Sequence, residues 1–140
     1  MAHTKKLISD LGIEENITWF PKMPRKHLMV FVKMSDVTVG ELFHSWLTYC
    51  VVMEALSMGT PFMHKRNDSD FNADYPELYP VYKAASPQDV ADNLEQIVKQ
   101  KEEAEEKGAK GREWYIKYGV NRALAIIKKI IRQKEETLRA

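Results

Sequence analysis

The sequence predicts an α/β fold in three layers, with a parallel β-sheet between helices. Short, mostly apolar segments at residues 17–20, 37–39, 61–64 and 81–83 alternate with longer segments of helical spacing. These strand segments lack the in–out polar alternation of a sheet with one wet face, so both faces are expected to be covered. The length of 140 residues suits a single domain and a single core.

Residues 4–12 read as the end of a helix, with Leu7, Ile8 and Leu11 on one face and Gly12 as its C-cap. The β-branched and aromatic run Ile17-Thr18-Trp19-Phe20 predicts a strand, and Pro21 and Pro24 punctuate the loop after it. Leu28, Phe31 and Val32 predict an amphipathic helix over residues 25–34, followed by a buried strand over 37–39 that ends at Gly40. Residues 47–58 are apolar on nearly all sides, which predicts an enclosed helix stopped by Gly59. A strand over 61–64, a polar loop and a brief strand over 81–83 come next. Ser86-Pro87-Gln88-Asp89 then opens a helix with an N-cap and a proline at its first position. The interspersed charges of residues 99–113 predict a solvated helix. Leu124, Ile127, Ile130 and Ile131 give the last helix, over residues 120–138, a face expected to pack in the core.

Composition narrows the function classes. Apolar residues make up 44% and charged residues 29% of the chain, as in globular proteins. With 21 basic and 20 acidic residues the net charge is +1, so nothing in the balance calls for nucleic acid. The single Cys50 forms no internal disulfide and suits a reducing compartment, so the cytoplasm is expected. No apolar run reaches the length of a membrane span, and any membrane contact is expected to be peripheral. The four histidines show no metal-ligand spacing, and neither a metal nor a cofactor is expected.

Glu54 is the most informative residue. A carboxylate among Val51, Val52, Met53, Ala55, Leu56 and Met58 is costly unless it is paired or faces a cavity. The bland alternative is a helix-face glutamate that finds water or a nearby lysine.

The string Glu54-Ala55-Leu56-Ser57-Met58-Gly59-Thr60-Pro61, preceded by Asp36-Val37-Thr38-Val39, resembles the Glu-Ala-Met-Ala-x-Gly-x-Pro segment of family 4 (group 1) glycosyltransferases, enzymes of the GT-B fold. Leu11-Gly12 with residues 17–21, Met23-Pro24-Arg25, Ser86-Pro87-Gln88-Asp89 and residues 108–114 extend the likeness over nearly the whole chain. The resemblance implies a Rossmann-like partial C-terminal domain lacking the first strands of its sheet, and a part in retaining transfer of a sugar from a nucleotide diphosphate donor. It implies that Glu54 binds the donor's ribose hydroxyls, that Thr48 and Tyr49 at the helix N-terminus border the diphosphate, and that Trp46 contacts the donor. Pro21, Lys22 and Met23 would line the base. It also implies that the acceptor domain and the glycine-rich, Arg- and Lys-bearing part of the diphosphate site lie outside this chain, in a missing N-terminal half or another chain. Removing central strands would leave open sheet edges, so the strand at Ile17 is expected to pair with that at Val37, or the edge to recruit a second copy or the missing half.

The chain departs from the family at one place. Many members carry a second glutamate seven residues before the ribose-binding one, followed by glycines, whereas here Trp46 stands at that spacing and Thr48 and Tyr49 replace the glycines. Glu41 and His44 lie just upstream as candidate sugar or acceptor contacts, and Lys65 and Arg66, after the strand ending at His64, as candidate phosphate contacts. Two rival readings stay open. One is a non-catalytic GT-B module for assembly. The other is a sugar-nucleotide epimerase, which would be expected to carry Ser-Gly-Gly before the helix, a motif absent here.

Overall fold

The computed structural model describes residues 2–139. Helix α1 (Ala2–Asp10) ends at Gly12, whose positive φ of 64° only glycine adopts readily. A 3₁₀ turn (Glu14–Asn16) leads through an irregular stretch to α2 (Arg25–Met34), β1 (Thr38–Val39), α3 (Cys50–Met58) and β2 (Phe62–His64). A second 3₁₀ turn (Asp68–Asp70) lies in the polar loop before β3 (Tyr82–Lys83), α4 (Pro87–Lys99) and α5 (Lys101–Trp114). A π-helical segment (Tyr115–Asn121) joins α5 without a break to α6 (Arg122–Arg139).

The sheet is parallel, in the order β1-β2-β3, with Thr38 opposite Phe62 and Met63 opposite Tyr82. Successive residues of β2 face opposite layers, as the pleat requires. Phe62 joins a cluster with Val32, Leu47, Val52, Ala55, Leu56, Tyr79 and Trp114. Met63 joins another with Tyr82, Ala84, Ile97 and Ala104. All three residues of β2 are buried, so the central strand is covered on both sides, as its apolar run implies. Ser86 begins α4 through a reciprocal pair of bonds with Asp89, the capping box, with Pro87 directly after it.

Helix α5 lies against α3 because two of its residues have no side chain. A Cβ on Gly108 would stand 2.3 Å from the carbonyl oxygen of Gly59, and one on Gly111 would stand 2.8 Å from Leu56 Cδ2. Gly59 in turn ends α3 at a φ of 68°, in the left-handed region. The charged residues of α5 line its outer side, with ion pairs such as Lys107–Glu103 and Lys110–Glu106, while Ala104, Gly108, Gly111 and Trp114 are buried. The charge run is therefore a solvated face with an inner face of small residues.

Two expectations are corrected. Residues 17–20 form no strand. Ile17 has extended backbone angles, but no neighbouring strand lies beside it among the described residues, and an extended chain becomes a strand only when its N–H and C=O groups find a partner. Its aromatics are served locally, Phe20 against Phe31 with ring centroids 4.5 Å apart and the Lys5 ammonium over Trp19. The expected pairing of Ile17 with the Val37 strand is thus absent, and β1 remains a sheet edge. The second correction concerns α6, whose Leu124, Ile127, Ile130 and Ile131 are not core but exposed, from 46% to 58%. The helix continues the line of α5 beyond the body, and its main contacts are with the π-helical segment before it. Helical spacing reports that a face is apolar and says nothing of what it meets.

A buried polar chain ties the sheet to the loops at its carboxyl end. The Tyr79 hydroxyl donates to the Leu47 carbonyl at 2.7 Å and lies 3.1 Å from His64 Nε2. Since that hydroxyl has one proton, His64 Nε2 is the donor in the second bond, and Nδ1 is left buried without a partner. Burial, then the neighbouring Arg66 charge, push the His64 pKa down to about 4, and burial pushes the Tyr79 phenol up to about 12.

Replacing Gly108 by alanine should destabilise the chain by about 1–3 kcal/mol through overpacking against Gly59. At an unobstructed helix position the same change would stabilise by up to ~1 kcal/mol, so the sign of the shift in urea midpoint decides whether this contact is real. His64 supplies a pH test. Its folded pKa lies below the unfolded value, so the unfolded chain binds more protons between them; stability is complete above about pH 6.5 and is lost as pH falls towards 4. Between pH 7 and pH 5 the wild-type chain should lose about 2 kcal/mol through this group. The variant His64→Gln keeps a donor for Tyr79 and should show a flatter profile; equal slopes for both proteins would remove His64 as the cause.

Candidate functional site

The segment between β1 and α3 shapes the carboxyl end of the sheet, where open α/β folds bind ligands. It continues the parallel ladder past β1: Gly40 N–H donates to the Met63 carbonyl and Lys65 N–H to the Glu41 carbonyl. Tyr49 then folds back across it. Its hydroxyl accepts the Glu41 N–H at 2.5 Å, and a Cβ on Gly40 would stand 2.1 Å from that oxygen. Burial raises the Tyr49 pKa above the ordinary phenol value.

Helix α3 begins at Cys50, three residues later than the sequence predicts. Leu47 is buried with its carbonyl held by Tyr79, and Tyr49 is fully extended at φ −157° and ψ 172°. No side chain caps this N-terminus, and the first backbone bond within the helix is from Met53 N–H to the Tyr49 carbonyl. The N–H groups of Cys50, Val51 and Val52 have no partner among the described residues. Only Val52, Ala55 and Leu56 of α3 are buried, so the helix is less enclosed than its composition suggests.

One turn into α3, Glu54 points beside that N-terminus. Its side chain is 12% exposed, and Oε1 lies 2.9 Å from Nε of Arg25, the first residue of α2, whose side chain is 75% exposed. An open cleft of about 510 Å³ is lined by Arg25, Thr48, Tyr49, Cys50, Met53 and Glu54. The expectation of a paired or cavity-facing carboxylate describes Glu54 on both counts, and the pairing cation is an arginine from the neighbouring helix, not a nearby lysine.

The other candidates lie apart from this cleft. Trp46 is half-exposed and does not line it. Pro21, Lys22 and Met23 belong to the irregular stretch leading to Arg25 and do not line it either. Glu41 Oε1 accepts the Phe43 N–H at 3.0 Å with His44 Nδ1 at 3.9 Å, and neither residue lines the cleft. Lys65 Nζ donates to the Phe43 carbonyl.

Arg66 needs a correction. Its side chain is 3% exposed: Nε pairs with Asp68 at 2.8 Å, Nη1 donates to the Tyr79 carbonyl and the guanidinium lies over the Tyr79 ring. This cation holds the loop after β2 to the core, with Nε and Nη1 both engaged by protein partners. Sequence reasoning missed Arg25 as a site residue, although its place directly after Pro24 at a helix start was visible. His64 and Tyr79 were missed as well; a histidine ending a wholly apolar strand was the available signal.

Among the described residues, no helix is long and apolar enough to cross a membrane. No protein-family profile matches the sequence, and no curated protein matches it. Among solved structures, 97% of this chain superposes on sucrose-phosphate synthase from Thermosynechococcus elongatus with a TM-score of 0.73 and 19% identity. The chain spans 34% of that protein. At this identity the likeness is one of fold: the chain has a Rossmann-like α/β architecture that matches part of a GT-B fold.

Proposed function

We propose that this chain is the nucleotide-sugar-binding portion of a glycosyltransferase that moves a sugar from a nucleotide diphosphate donor to an acceptor held by another domain or chain. The observation that carries the reading is Glu54. It is a nearly buried carboxylate one turn into α3, opening on a cleft that also receives the free amino end of that helix. Such a carboxylate accepts hydrogen bonds from a pair of sugar hydroxyls, while the helix N-terminus favours a diphosphate.

The contribution to transfer would be electrostatic and positional: holding the ribose by Glu54 and stabilising the departing diphosphate. The remaining third-party elements of the site, including the acceptor-binding half, would come from outside this chain, in keeping with its span of 34% of the solved structure. Tyr49 favours a second reading, a non-catalytic GT-B module, because its ring lies where the family's glycines would leave room and its hydroxyl occupies the Glu41 amide.

Titration calorimetry with uridine, guanosine and adenosine diphosphates and their 2′,3′-dideoxy analogues separates the two. A diol bound by Glu54 should give the hydroxyl-bearing form an advantage of about 1–2 kcal/mol, and Glu54→Gln should erase it. Equal affinity of the two forms for the wild-type chain would take Glu54 out of the ribose site, and no binding of any diphosphate would leave the assembly module as the better account.

A further inference from the structure

Helix α6 is open to solvent on every side, from Arg122 to Leu138. At 3.6 residues per turn, Leu124, Ile126, Ile127, Ile130 and Ile131 share an unbroken arc of roughly 160°. Lys128 and Arg132 border that arc on one side, and Arg122 and Lys129 on the other. From Arg122 to Lys134 the helix carries five basic residues and no acidic one; Glu135 and Glu136 come only afterwards. The whole chain has a net charge of +1, so this excess is concentrated on one short stretch. Arg122 lies over the Tyr75 ring. Lys128, Lys129, Arg132 and Lys134 take part in no hydrogen bond or ion pair among the described residues, so their charge is not offset within the protein.

From this arrangement we infer that α6 is a docking surface for an anionic lipid bilayer. The helix lies in the plane of the interface, with its apolar arc at the acyl boundary and its basic borders among the headgroups. Lys134 falls inside the apolar arc, where its long stem carries the ammonium out to headgroup level. Spanning the bilayer is excluded, since the helix is too polar to cross it. A wide apolar arc with cations along both borders matches a flat surface that is apolar below and anionic above. A second copy is a poorer occupant. Laid antiparallel over residues 124–131, it would set the basic stretch of one helix against the same stretch of the other, with like charges facing across the contact.

Flotation of the full chain with phosphatidylcholine vesicles, with and without about one-third phosphatidylserine, tests this. The wild-type chain should bind the anionic vesicles about tenfold or more tightly than the neutral ones, and the preference should shrink at high salt. The double variant Ile127→Asp/Ile131→Asp should abolish binding to both. Lys128→Gln/Lys129→Gln/Arg132→Gln should remove the anionic preference, whereas Met34→Gln, at an exposed apolar side chain ending α2, should change nothing. All these side chains are exposed, so each variant should keep the wild-type circular dichroism spectrum. Hydrogen exchange on the wild-type chain gives a readout that needs no variant: anionic vesicles should slow the amides of α6 and leave those of β2 as they were. No vesicle binding, equal binding to neutral and anionic vesicles, or binding that survives the α6 substitutions would overturn the proposal. So would a wild-type dimer in light scattering that ignores vesicles and becomes monomeric in Ile127→Asp/Ile131→Asp, which would make a second copy the occupant. None of these measurements involves a nucleotide, so their outcome is independent of the function proposed above.

Discussion

The close approach of α5 to α3, backbone against backbone, is the constraint on which the rest of the molecule depends. It requires glycine at 108, where any Cβ would enter the Gly59 carbonyl, and at 111, where one would press on Leu56. The same contact sets the end of α3, because Gly59 turns out of the helix at a left-handed φ and hands the chain to Pro61 and the central strand. Helix α3 is thus fixed at its carboxyl end by packing with no slack. Its amino end, where Glu54 and the free amides lie, is correspondingly placed against the carboxyl edge of the sheet. Close-packed interiors transmit position in this way, since neither helix can shift without opening a void or a clash.

At the other end of α3 the restraint is polar. His64, Tyr79 and the Leu47 carbonyl form a buried chain of hydrogen bonds joining the central strand, the loop after it and the residues that lead into α3. Arg66 secures the same loop from beneath, with Asp68 shared between it and Lys83. A buried polar chain of this kind specifies one arrangement, because each broken bond leaves a donor or acceptor away from water. Tyr49 adds a further tie by crossing to the Glu41 amide. The loop from β1 to α3 is therefore held by its own side chains, with the Tyr49 ring packed across it.

Between these two anchors lies the ion pair of Glu54 and Arg25. A nearly buried carboxylate is tolerable when a cation offsets its charge, and Arg25 does so from a solvent-exposed position across the cleft. The asymmetry is informative: the acid is held in place by its helix and nearly buried, whereas the base reaches in from the start of α2 and stays largely exposed.

Much of the layered fold was legible in the residues. Ser86 with Asp89 announced α4, Gly12 and Gly59 announced helix ends, and the apolar run at residues 62–64 announced a strand covered on both faces. Glu54 stood out because a carboxylate in an apolar helix demands an explanation. These features are local, set by backbone sterics, capping and the cost of burying charge. What the sequence left open was every question of partnership. Among the described residues, 17–20 have strand composition yet no neighbour to pair with, and the apolar stripe of α6 has helical spacing yet stays exposed. Gly108 and Gly111 fell within the predicted solvated helix with no role assigned, and they are the reason α5 can lie on α3. Arg66 looked like a phosphate contact and is buried; Arg25 looked unremarkable and lines the Glu54 cleft. Pattern along a chain determines which face is apolar and where a turn must fall. Only the tertiary structure decides what stands opposite each face, because those contacts join residues far apart in sequence.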